Sequence, residues 1–357
     1  MANIPQPHWK ELFYSKSKIN NAGRMMRDEN LSSDEYENAV KIIDNWRAAH
    51  AYPMHVIYMH LRRMAQPQDY IVAERLKRLD SIVAKLKRQP TMALWKMQDL
   101  GGCRFIVPTI DKVYSFSSAY RASKKRHIYK AELCKDYIKF PKEDGYRGIH
   151  EVYEFYSDKK EELNGKFLIE IQFRTQLQHL WATAVETMGL FTNQAIKSGQ
   201  GTSDIRRFFA LVSSLFAIEE GCPVVPNTPT DIQDIIKELR ELNKINNFLP
   251  MLRAIQTVVS NEDAITQGKK FNQNGYYLLL LNYGQRRLQI IYFKPSKIDE
   301  ANKIYAEIEK NKNKNNLNID AVLVNISSFK TLKVAYPNYF TDIGQFVYKV
   351  GEYLDRR

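Results

Sequence analysis

Two carboxylates stand out because each lies in a strongly basic part of the sequence. Asp99 lies in KMQDLGGCRF, directly before a short apolar run, and Glu170 lies in LIEIQFRT, where it alternates with apolar residues. Two carboxylates on neighbouring strands can hold Mg²⁺, which prefers one or two carboxylates together with phosphate oxygens. The alternatives are a helix or turn cap for Asp99, and an ion pair with Arg174 or Arg104 for Glu170.

Positive charge surrounds these carboxylates. The chain has 357 residues and a formal net charge of +13, a balance that favours polyanionic partners. Between Arg121 and Arg147 there are nine basic and four acidic residues. This stretch contains most of YIKFPKEDGYRGIH (137–150), which brings lysines, an arginine, a histidine and tyrosines into what reads as a turn. A solvated lysine-rich surface is the alternative.

Several classes of protein are excluded by missing motifs. GxxxxGK[ST], HExxH, GxSxG and a His-Asp doublet are all missing, which argues against a P-loop protein, a zinc peptidase, a serine hydrolase and a metal-dependent phosphohydrolase. The three cysteines form no CxxC pair, so neither a disulfide framework nor a cysteine zinc site is expected. No apolar run of about 18 residues and no signal-peptide profile is found. We expect a cytoplasmic protein that does not span a membrane.

Strand patterns alternate with helix patterns over residues 65–192, which predicts an α/β fold with a mixed sheet. Buried-type strands are predicted at Cys103–Val107, 149–157 and 166–175, with helices over 110–123 and after 175. Residues 9–66 show helical spacing interrupted near Pro53.

Residues 68–89 fit two interpretations. They form either one amphipathic helix or a short strand that hands over to a helix near Arg78. In the helical part, Lys77, Ser81, Lys85 and Arg88 share one face, which is either a binding stripe or simply solvated.

The sequence after residue 221 begins a new pattern. A Pro-rich break ends at Asp231, which can cap the helix that follows, and two helical segments are expected at about 231–246 and 249–260. Apolar runs on either side of NYGQR predict a β-hairpin. A helix near 297–311, a strand DAVLVNI and one or two final helices complete a small α/β module.

Four motifs occur in one order along the chain. They are R-x-K-x3-S-x3-K from Arg75 to Lys85, QDLGGCR (98–104), YIKFPKEDGYRGIH (137–150) and EIQFRT (170–175). This arrangement resembles the pyrophosphokinase domain of RelA/SpoT-type alarmone synthetases. The resemblance implies a mixed sheet related to the nucleotidyltransferase fold, and transfer of the β,γ-diphosphate of ATP to a ribose 3′-hydroxyl with release of AMP.

The resemblance also implies roles for individual residues. Asp99 and Glu170 match the catalytic carboxylates and Mg²⁺ ligands, and Glu170 could also deprotonate the 3′-hydroxyl. The ATP-binding residues would be Arg75, Lys77, Ser81, Lys85 and Arg104. The acceptor site would consist of Tyr146, which stacks on a base, together with Gly145, Lys142 and His150.

Three classes of function compete for this domain: an alarmone synthetase acting on GDP or GTP, a toxic relative that modifies the 3′-terminal adenosine of tRNA, and a non-catalytic RNA-binding module. The stretch that contains these acceptor residues (137–150) is called the acceptor loop. It departs from the synthetase pattern at Asp144, where Asn is typical, and at Gly148, where Ser is typical. The run KKRHIYK offers a patch for a tRNA phosphate track, or else a flexible lysine loop. Its basic residues are Lys124, Lys125, Arg126 and Lys130.

The C-terminal region resembles the fused antitoxin of CapRel-type toxin–antitoxin proteins, a pseudo-zinc-finger domain. The name suits a region with no cysteine after Cys222 and no histidine after His179. Tyr336 and Tyr339 match the neutralising YxxY motif of that family, which blocks the ATP site. The resemblance implies anti-phage defence, with release by a phage major capsid protein, for which the apolar surface of the hairpin is a docking site. The predicted domains are 1–222, a connector at 223–270, and 271–357.

Overall fold

A computed structural model describes residues 9–28, 30–68, 70–191, 203–253, 265–267, 275–282, 287–315, 319–326 and 343–355. The helices are α1 (Lys16–Met25), α2 (Ser33–Ala49), α3 (Ala51–Ala65), α4 (Leu79–Arg88), α5 (Ile110–Ala122), α6 (Gln176–Phe191), α7 (Ser203–Glu219), α8 (Ile232–Asn246), α9 (Ile298–Asn315) and α10 (Gly344–Asp355). The strands are β1 (Ile71–Leu76), β2 (Gly101–Val107), β3 (Ile128–Tyr129), β4 (Lys135–Asp136), β5 (Ile149–Glu154), β6 (Leu168–Thr175), β7 (Ile265–Gln267), β8 (Gly275–Asn282), β9 (Arg287–Phe293) and β10 (Ile319–Ile326).

All ten strands belong to one mixed sheet. Its order is β3-β5-β6-β2-β1-β10-β8-β9-β7, and β4 pairs with β5 outside this path. The pairs β2–β6 and β7–β9 are parallel, whereas the remaining pairs are antiparallel. The predicted α/β class with a mixed sheet and flanking helices is confirmed.

Residues 71–88 form a strand followed by a helix, so the second of the two interpretations is correct. Strand β1 is mostly buried and pairs with β2 and β10. Helix α4 begins only at Leu79 and buries Leu79, Ile82 and Leu86. Lys85 lies on the other side of this helix, half-exposed. The helix therefore has a buried apolar stripe that holds it in place and a polar face that is open to a ligand.

Strand β6 shows the predicted alternation. Ile169, Ile171 and Phe173 are fully buried in a core that also contains residues of α3 and α5. Glu170 and Gln172 point to the opposite face, because successive side chains of a strand alternate. Since β2 lies beside β6 with Gly102 opposite Glu170, the segment that carries Asp99 ends next to Glu170.

A helical layer packs beside this sheet. Helices α6, α7, α8 and α10 share one apolar cluster, in which Phe209 and Phe346 are fully buried. Asp231 caps α8 as predicted, because its side chain accepts hydrogen bonds from the backbone N–H groups of Gln233 and Asp234. The last helix of the described chain therefore packs against α6, α7 and α8.

The C-terminal strands extend the same sheet. Strand β10 pairs with β1, with Asn325 opposite Glu74 and Val324 opposite Arg75, and β8 and β9 continue outward. Strands of the segments predicted as separate N- and C-terminal domains thus share backbone hydrogen bonds. The boundaries predicted at residues 222 and 270 stay predictions.

The hairpin strands β8 and β9 pair as predicted, but their apolar side chains are not exposed. Tyr277, Leu278, Leu279 and Ile290 are fully buried. Strand β8 lies between β9 and β10, and α9 shares an apolar cluster with both. The predicted docking site on an exposed apolar hairpin surface is therefore wrong for these residues.

Helix α9 inserts a buried carboxylate under the start of α4. Glu309 forms an ion pair with Arg47 of α2 and accepts a hydrogen bond from the hydroxyl of Tyr305 at 3.0 Å. The same Glu309 oxygen accepts from the backbone N–H of Leu79 at 3.3 Å. A carboxylate is favourable at this end of a helix because the first N–H groups have no partner within it. One C-terminal side chain thus supports the helix that carries Lys85.

Replacing Glu309 by Gln should lower the free energy of unfolding by about 3 kcal/mol, because the buried guanidinium of Arg47 would lose a charged partner. Urea denaturation followed by circular dichroism at pH 7 measures this. The matched control is Glu300→Gln on the exposed side of α9, where an ion pair with Lys297 is open to solvent and its loss should cost less than about 0.5 kcal/mol. Equal midpoints for Glu309→Gln and the wild type would contradict the structural role of this contact.

Candidate active site

Asp99 is held between two lysines. Its two carboxylate oxygens accept hydrogen bonds from Nζ of Lys77 and Nζ of Lys85, each at 2.8 Å. Lys77 follows β1, Lys85 lies on α4, and a backbone hydrogen bond from Lys77 N to Leu100 O joins the two loops at 2.8 Å. Burial alone would raise the pKa of Asp99, but the two ammonium groups hold it well below its usual range. Asp99 is therefore ionised, with two cations at hand.

Glu170 lies in a closed ring of hydrogen bonds on the neighbouring strands. Its Oε1 pairs with Nδ1 of His150 at 2.9 Å, and Nε2 of His150 contacts the hydroxyl of Tyr146. That hydroxyl accepts from Nη2 of Arg174 at 2.7 Å, which also donates to Oε1 of Gln172 at 2.7 Å. Nε2 of Gln172 closes the ring by donating to Oε2 of Glu170 at 2.6 Å. We call these five residues the hydrogen-bonded ring.

The protonation states in the hydrogen-bonded ring follow from its charges. Burial disfavours a charged imidazole, but the carboxylate of Glu170 and the oxygen of Tyr146 raise the pKa of His150 to about 9. Burial opposes ionisation of Glu170 as well, yet His150 keeps the pKa of that carboxyl below its usual range. His150 is thus an imidazolium that donates to Glu170 and to Tyr146.

Tyr146 responds to the two cations around its oxygen. Burial alone would raise the pKa of this phenol, but the Arg174 guanidinium and the His150 imidazolium lower it to about 8. The hydroxyl oxygen accepts from both neighbours, an arrangement that favours the phenolate. The phenol of Tyr146 is therefore more acidic than that of an ordinary tyrosine.

The strand register brings the predicted residues to one face of the sheet. Glu170 lies opposite Gly102, and Gly102 lies opposite Arg75. Two residues further along, Gln172 lies opposite both Arg104 and His150. Residues at these positions share a face because strands alternate with a period of two. Arg75, Arg104, His150 and Glu170 thus lie on one face of the sheet, and Ser81 lies half-exposed on α4.

The acceptor loop depends on glycine at two points. Gly145 has φ +93°, and a Cβ there would lie 2.7 Å from Cζ2 of Trp181. Gly148 has φ +150°, with the backbone oxygen of Phe173 at 3.3 Å from the position of a Cβ. Asp144 accepts a hydrogen bond from Tyr146 N at 2.9 Å, which closes the turn. The loop packs closely on α6 and β6, and larger residues at these two glycines would disturb it.

The ring of Tyr146 is packed inside the protein in the described arrangement. It is only 8% exposed and lies edge-on to Tyr137. The Nζ of Lys142 lies 5.2 Å from the Tyr146 ring centre, and the guanidinium carbon of Arg174 lies at 5.0 Å. The predicted acceptor residues Gly145, Lys142 and His150 are therefore brought together around Tyr146, but its face is covered by cations.

The predicted RNA patch lies at the other end of β5 from His150. Residues 128–129 pair with 153–154, whereas His150 stands four residues earlier along the strand. Lys125 caps the end of α5 by donating to the backbone oxygen of Arg121, Arg126 pairs with Asp158, and Lys130 pairs with Glu132. Lys124 is exposed. These side chains are distant from the carboxylates along the strand, and several have protein partners.

Two members of the site, Gln172 and Arg174, were not assigned a functional role from the sequence. The alternation in β6 already put both on the polar face beside Glu170. Arg174 was considered only as a partner of Glu170, but it contacts Tyr146 and Gln172 instead. Its Nε and Nη1 have no hydrogen-bond partner within the described chain, although the residue is buried.

Asp99 and Glu170 are the residues that could hold Mg²⁺. Each is ionised, and the charge of Asp99 acts to raise the pKa of Glu170, so the two sense each other across the β2–β6 pair. Among the described residues no group of three or more His, Cys, Asp or Glu could hold a metal by itself. Two carboxylates with remaining positions for phosphate oxygens fit Mg²⁺ bound together with a nucleotide.

The two tyrosines of the predicted neutralising motif, Tyr336 and Tyr339, lie outside the described residues. Within the described part of the chain, no helix has both the length and the apolar character that crossing a membrane requires.

His150 should titrate far above an ordinary histidine in Mg²⁺-free protein. The wild-type imidazolium should persist at pH 7.5 and lose its proton near pH 9, from a usual value of 6.5, because Glu170 stabilises the charge. In Glu170→Gln only the contact with Tyr146 still opposes the burial penalty, so the pKa of His150 should fall well below its wild-type value. Imidazole ¹⁵N shifts measure both, with His127, whose pKa burial lowers to about 4, as internal control. A pKa near 6.5 in both proteins would contradict the ion pair.

Part of the chain, including the site, is similar to known proteins. Residues 74–194 match the family described as "Region found in RelA / SpoT proteins". The GTP pyrophosphokinase YwaC of Bacillus subtilis (strain 168) is 31% identical over 117 residues, which cover 30% of this chain and 52% of that protein. The chain thus spans about half the length of this curated relative.

Solved structures of two bacterial proteins resemble part of the chain. Small alarmone synthetase 1 from Bacillus subtilis, bound to its product pppGpp, gives a TM-score of 0.41 at 21% identity, covering 50% of this chain and 94% of that one. A GTP pyrophosphokinase family protein from Streptococcus pneumoniae gives 0.40 at 19% identity, covering 63% and 98%. Residues 74–194, the part that matches the RelA / SpoT family description, contain Asp99, the hydrogen-bonded ring and the two lysines.

Proposed function

We propose that this protein is an ATP-dependent pyrophosphokinase that transfers the β,γ-diphosphate of ATP to a ribose 3′-hydroxyl. One observation carries the proposal: within residues 74–194, two ionised carboxylates, Glu170 on β6 and Asp99 just before the neighbouring β2, each lie in contact with cationic side chains. Transfer of phosphoryl groups depends mainly on positioning and on neutralising charge, and this arrangement supplies both.

The reaction balances as a single displacement. The 3′-oxygen of the acceptor forms a bond to the β-phosphorus of ATP, and the bond from that phosphorus to the oxygen bridging the α-phosphorus breaks. AMP leaves with that oxygen, and the proton of the 3′-hydroxyl passes to a basic group of the site. Glu170 is ionised and on the correct face of the sheet to accept it, although its lowered pKa makes it a weak base while it is paired with His150.

Asp99 and Glu170 would hold Mg²⁺, which when bound supplies charge to the phosphate oxygens. Lys77 and Lys85 would then turn from Asp99 towards the triphosphate, where they offset the negative charge that repels the attacking oxygen. Arg75 and Arg104 lie on the same face and would bind the remaining phosphates. Stacking of an acceptor base on Tyr146 requires the hydrogen-bonded ring to open, because that phenol is buried against His150 and Arg174.

We further propose that the acceptor is the 3′-terminal adenosine of tRNA, so that the activity stops translation. The positive charge of the chain supports this, as do the departures from the synthetase pattern at Asp144 and Gly148. At Gly148 the positive φ and the nearby Phe173 oxygen would strain a serine, so the acceptor loop follows its own path. A second candidate is an acceptor of GDP or GTP, which the name of the curated relative favours.

The regulatory part of the proposal concerns the C-terminal region. We propose that it inhibits the site through Tyr336 and Tyr339, that a phage major capsid protein releases it, and that the whole serves as a fused toxin–antitoxin in anti-phage defence. The pairing of β10 with β1 and the contact of Glu309 with the start of α4 support a coupling between this region and the ATP side. Inhibition and structural support would then come from the same segment.

The acceptor is tested with γ-labelled ATP and Mg²⁺, offered to the full-length chain and to its Tyr339→Ala variant with either deacylated tRNA or GDP. We expect label on tRNA, more with Tyr339→Ala, and none on tRNA whose 3′-terminal ribose has been oxidised by periodate. Asp99→Asn should lower transfer at least about 100-fold. Label on GDP with none on tRNA would replace the first candidate by the second, and RNA binding without any transfer would favour a non-catalytic module.

Inhibition by the C-terminal region is tested in cells. Tyr339→Ala in the full chain should stop growth without a phage trigger, because the neutralising contact is removed while the catalytic residues stay intact. The control is Tyr339→Ala combined with Asp99→Asn, which should grow normally if toxicity requires the enzyme. Normal growth of the single variant at equal protein level would refute the role of the YPNY segment.

A further inference from the structure

A large open cavity lies beside the acceptor loop. It has a volume of about 940 Å³ and lies between residues 137–144, the end of α4, the first turns of α7 and residues 226–227. Pockets of roughly 300–1,000 Å³ hold drug-sized ligands, so this cavity is at the upper end of that range. Asp99 and Glu170 do not line it, whereas Glu143 and Asp144 of the acceptor loop do.

The cavity offers cations on three different elements. Arg88 is the last residue of α4, Lys142 lies on the acceptor loop and Arg206 lies on α7. Arg206 is exposed and forms no ion pair within the described chain. Arg207 has a different role, because it is bonded to Glu238 and to the backbone oxygen of Asn227. Three positive groups around a concave surface suit a ligand with several phosphates in a row.

An aromatic side chain stands open at the same cavity. Phe140 is 69% exposed, and Nζ of Lys139 lies 5.5 Å from its ring centre. A large apolar ring in water next to a lysine is costly for stability, but it is a platform on which a base can stack. Since every base has an aromatic face and every nucleotide a phosphate, this combination is typical of surfaces that bind single-stranded nucleic acid.

Lys142 connects the lining of the cavity with Tyr146. Nζ of Lys142 lies 4.5 Å from the ring centre of Tyr137, which lines the cavity, and 5.2 Å from that of Tyr146. One lysine thus touches both the wall of the cavity and the proposed stacking residue of the active site. A strand that ends at Tyr146 could therefore extend outward over Tyr137 to Phe140.

We propose that this cavity binds the nucleotides that precede the acceptor nucleotide of a single-stranded RNA 3′ end, with a base stacked on Phe140 and phosphates on Arg88 and Arg206. The inference rests on the proposed function, because it assigns the path by which a polynucleotide acceptor enters. It differs from the path predicted over Lys124 and Lys130, which lies at the far end of β5.

The test measures binding of the full-length chain to a fluorescent single-stranded RNA about eight nucleotides long, by fluorescence anisotropy. Phe140→Ala should weaken binding about 5- to 100-fold, and Phe140→Trp should restore it to within about twofold, because stacking needs only an aromatic ring. Arg206→Ala should lower the slope of log affinity against log salt by about 0.7, as one phosphate contact is lost. Phe13→Ala, at a phenylalanine that is 65% exposed and does not line the cavity, and Arg24→Ala on α1 are the matched controls and should bind like the wild type.

The outcomes test RNA binding in the cavity independently of which acceptor the enzyme uses. Unchanged RNA affinity of Phe140→Ala, no measurable RNA binding, or a larger loss with Arg126→Ala than with Arg206→Ala would overturn the inference. Loss of RNA binding in Phe140→Ala together with label transfer to GDP alone would support the cavity and refute the proposed tRNA acceptor. Equal affinity for a blunt RNA duplex would also overturn it, because a stacked duplex leaves no free base for Phe140.

Discussion

The ion pair between Glu170 and His150 joins β6 to β5 at the centre of the candidate site. Because His150 is held as an imidazolium, its second nitrogen donates to Tyr146, which fixes the acceptor tyrosine next to Arg174. Gln172 completes the hydrogen-bonded ring by donating to Glu170. The position of one carboxylate thus depends on residues of the acceptor loop, and the packing of that loop depends on glycine at 145 and 148.

The other part of the site depends on a second carboxylate, Asp99, which is also held by cationic side chains. Asp99 is ionised because Lys77 and Lys85 surround it, and the helix that carries Lys85 begins at the buried carboxylate of Glu309. Since Glu309 belongs to α9 and β10 pairs with β1, the C-terminal region is part of the framework around Asp99, Lys77 and Lys85. A region proposed to inhibit the enzyme is thereby also placed to adjust the geometry of its lysines.

Local patterns in the sequence predicted the elements well and their distant contacts poorly. The alternation in residues 166–175 correctly gave the buried and polar faces of β6, and the four ordered motifs led to residues that meet on one face of the sheet. Strand order is decided by contacts between distant segments, so the pairing of β10 with β1 and the burial of the hairpin had no local pattern to reveal them. Residues 124–130 are close in sequence to the acceptor loop, but they lie at the opposite end of β5 from His150. The hydrogen-bonded ring depends on side-chain geometry, which spacing alone does not give.

In the proposed function, Asp99 and Glu170 direct the transfer of a diphosphate and not of a single phosphate. The most direct test counts the nucleotide products of ATP labelled at the α-phosphate, together with the mass of the modified acceptor. The proposed reaction gives one AMP for each acceptor molecule modified and an acceptor heavier by two phosphate groups, and both products should disappear in Asp99→Asn. ADP with a gain of one phosphate, or AMP that still forms at the wild-type rate in Asp99→Asn, would contradict it.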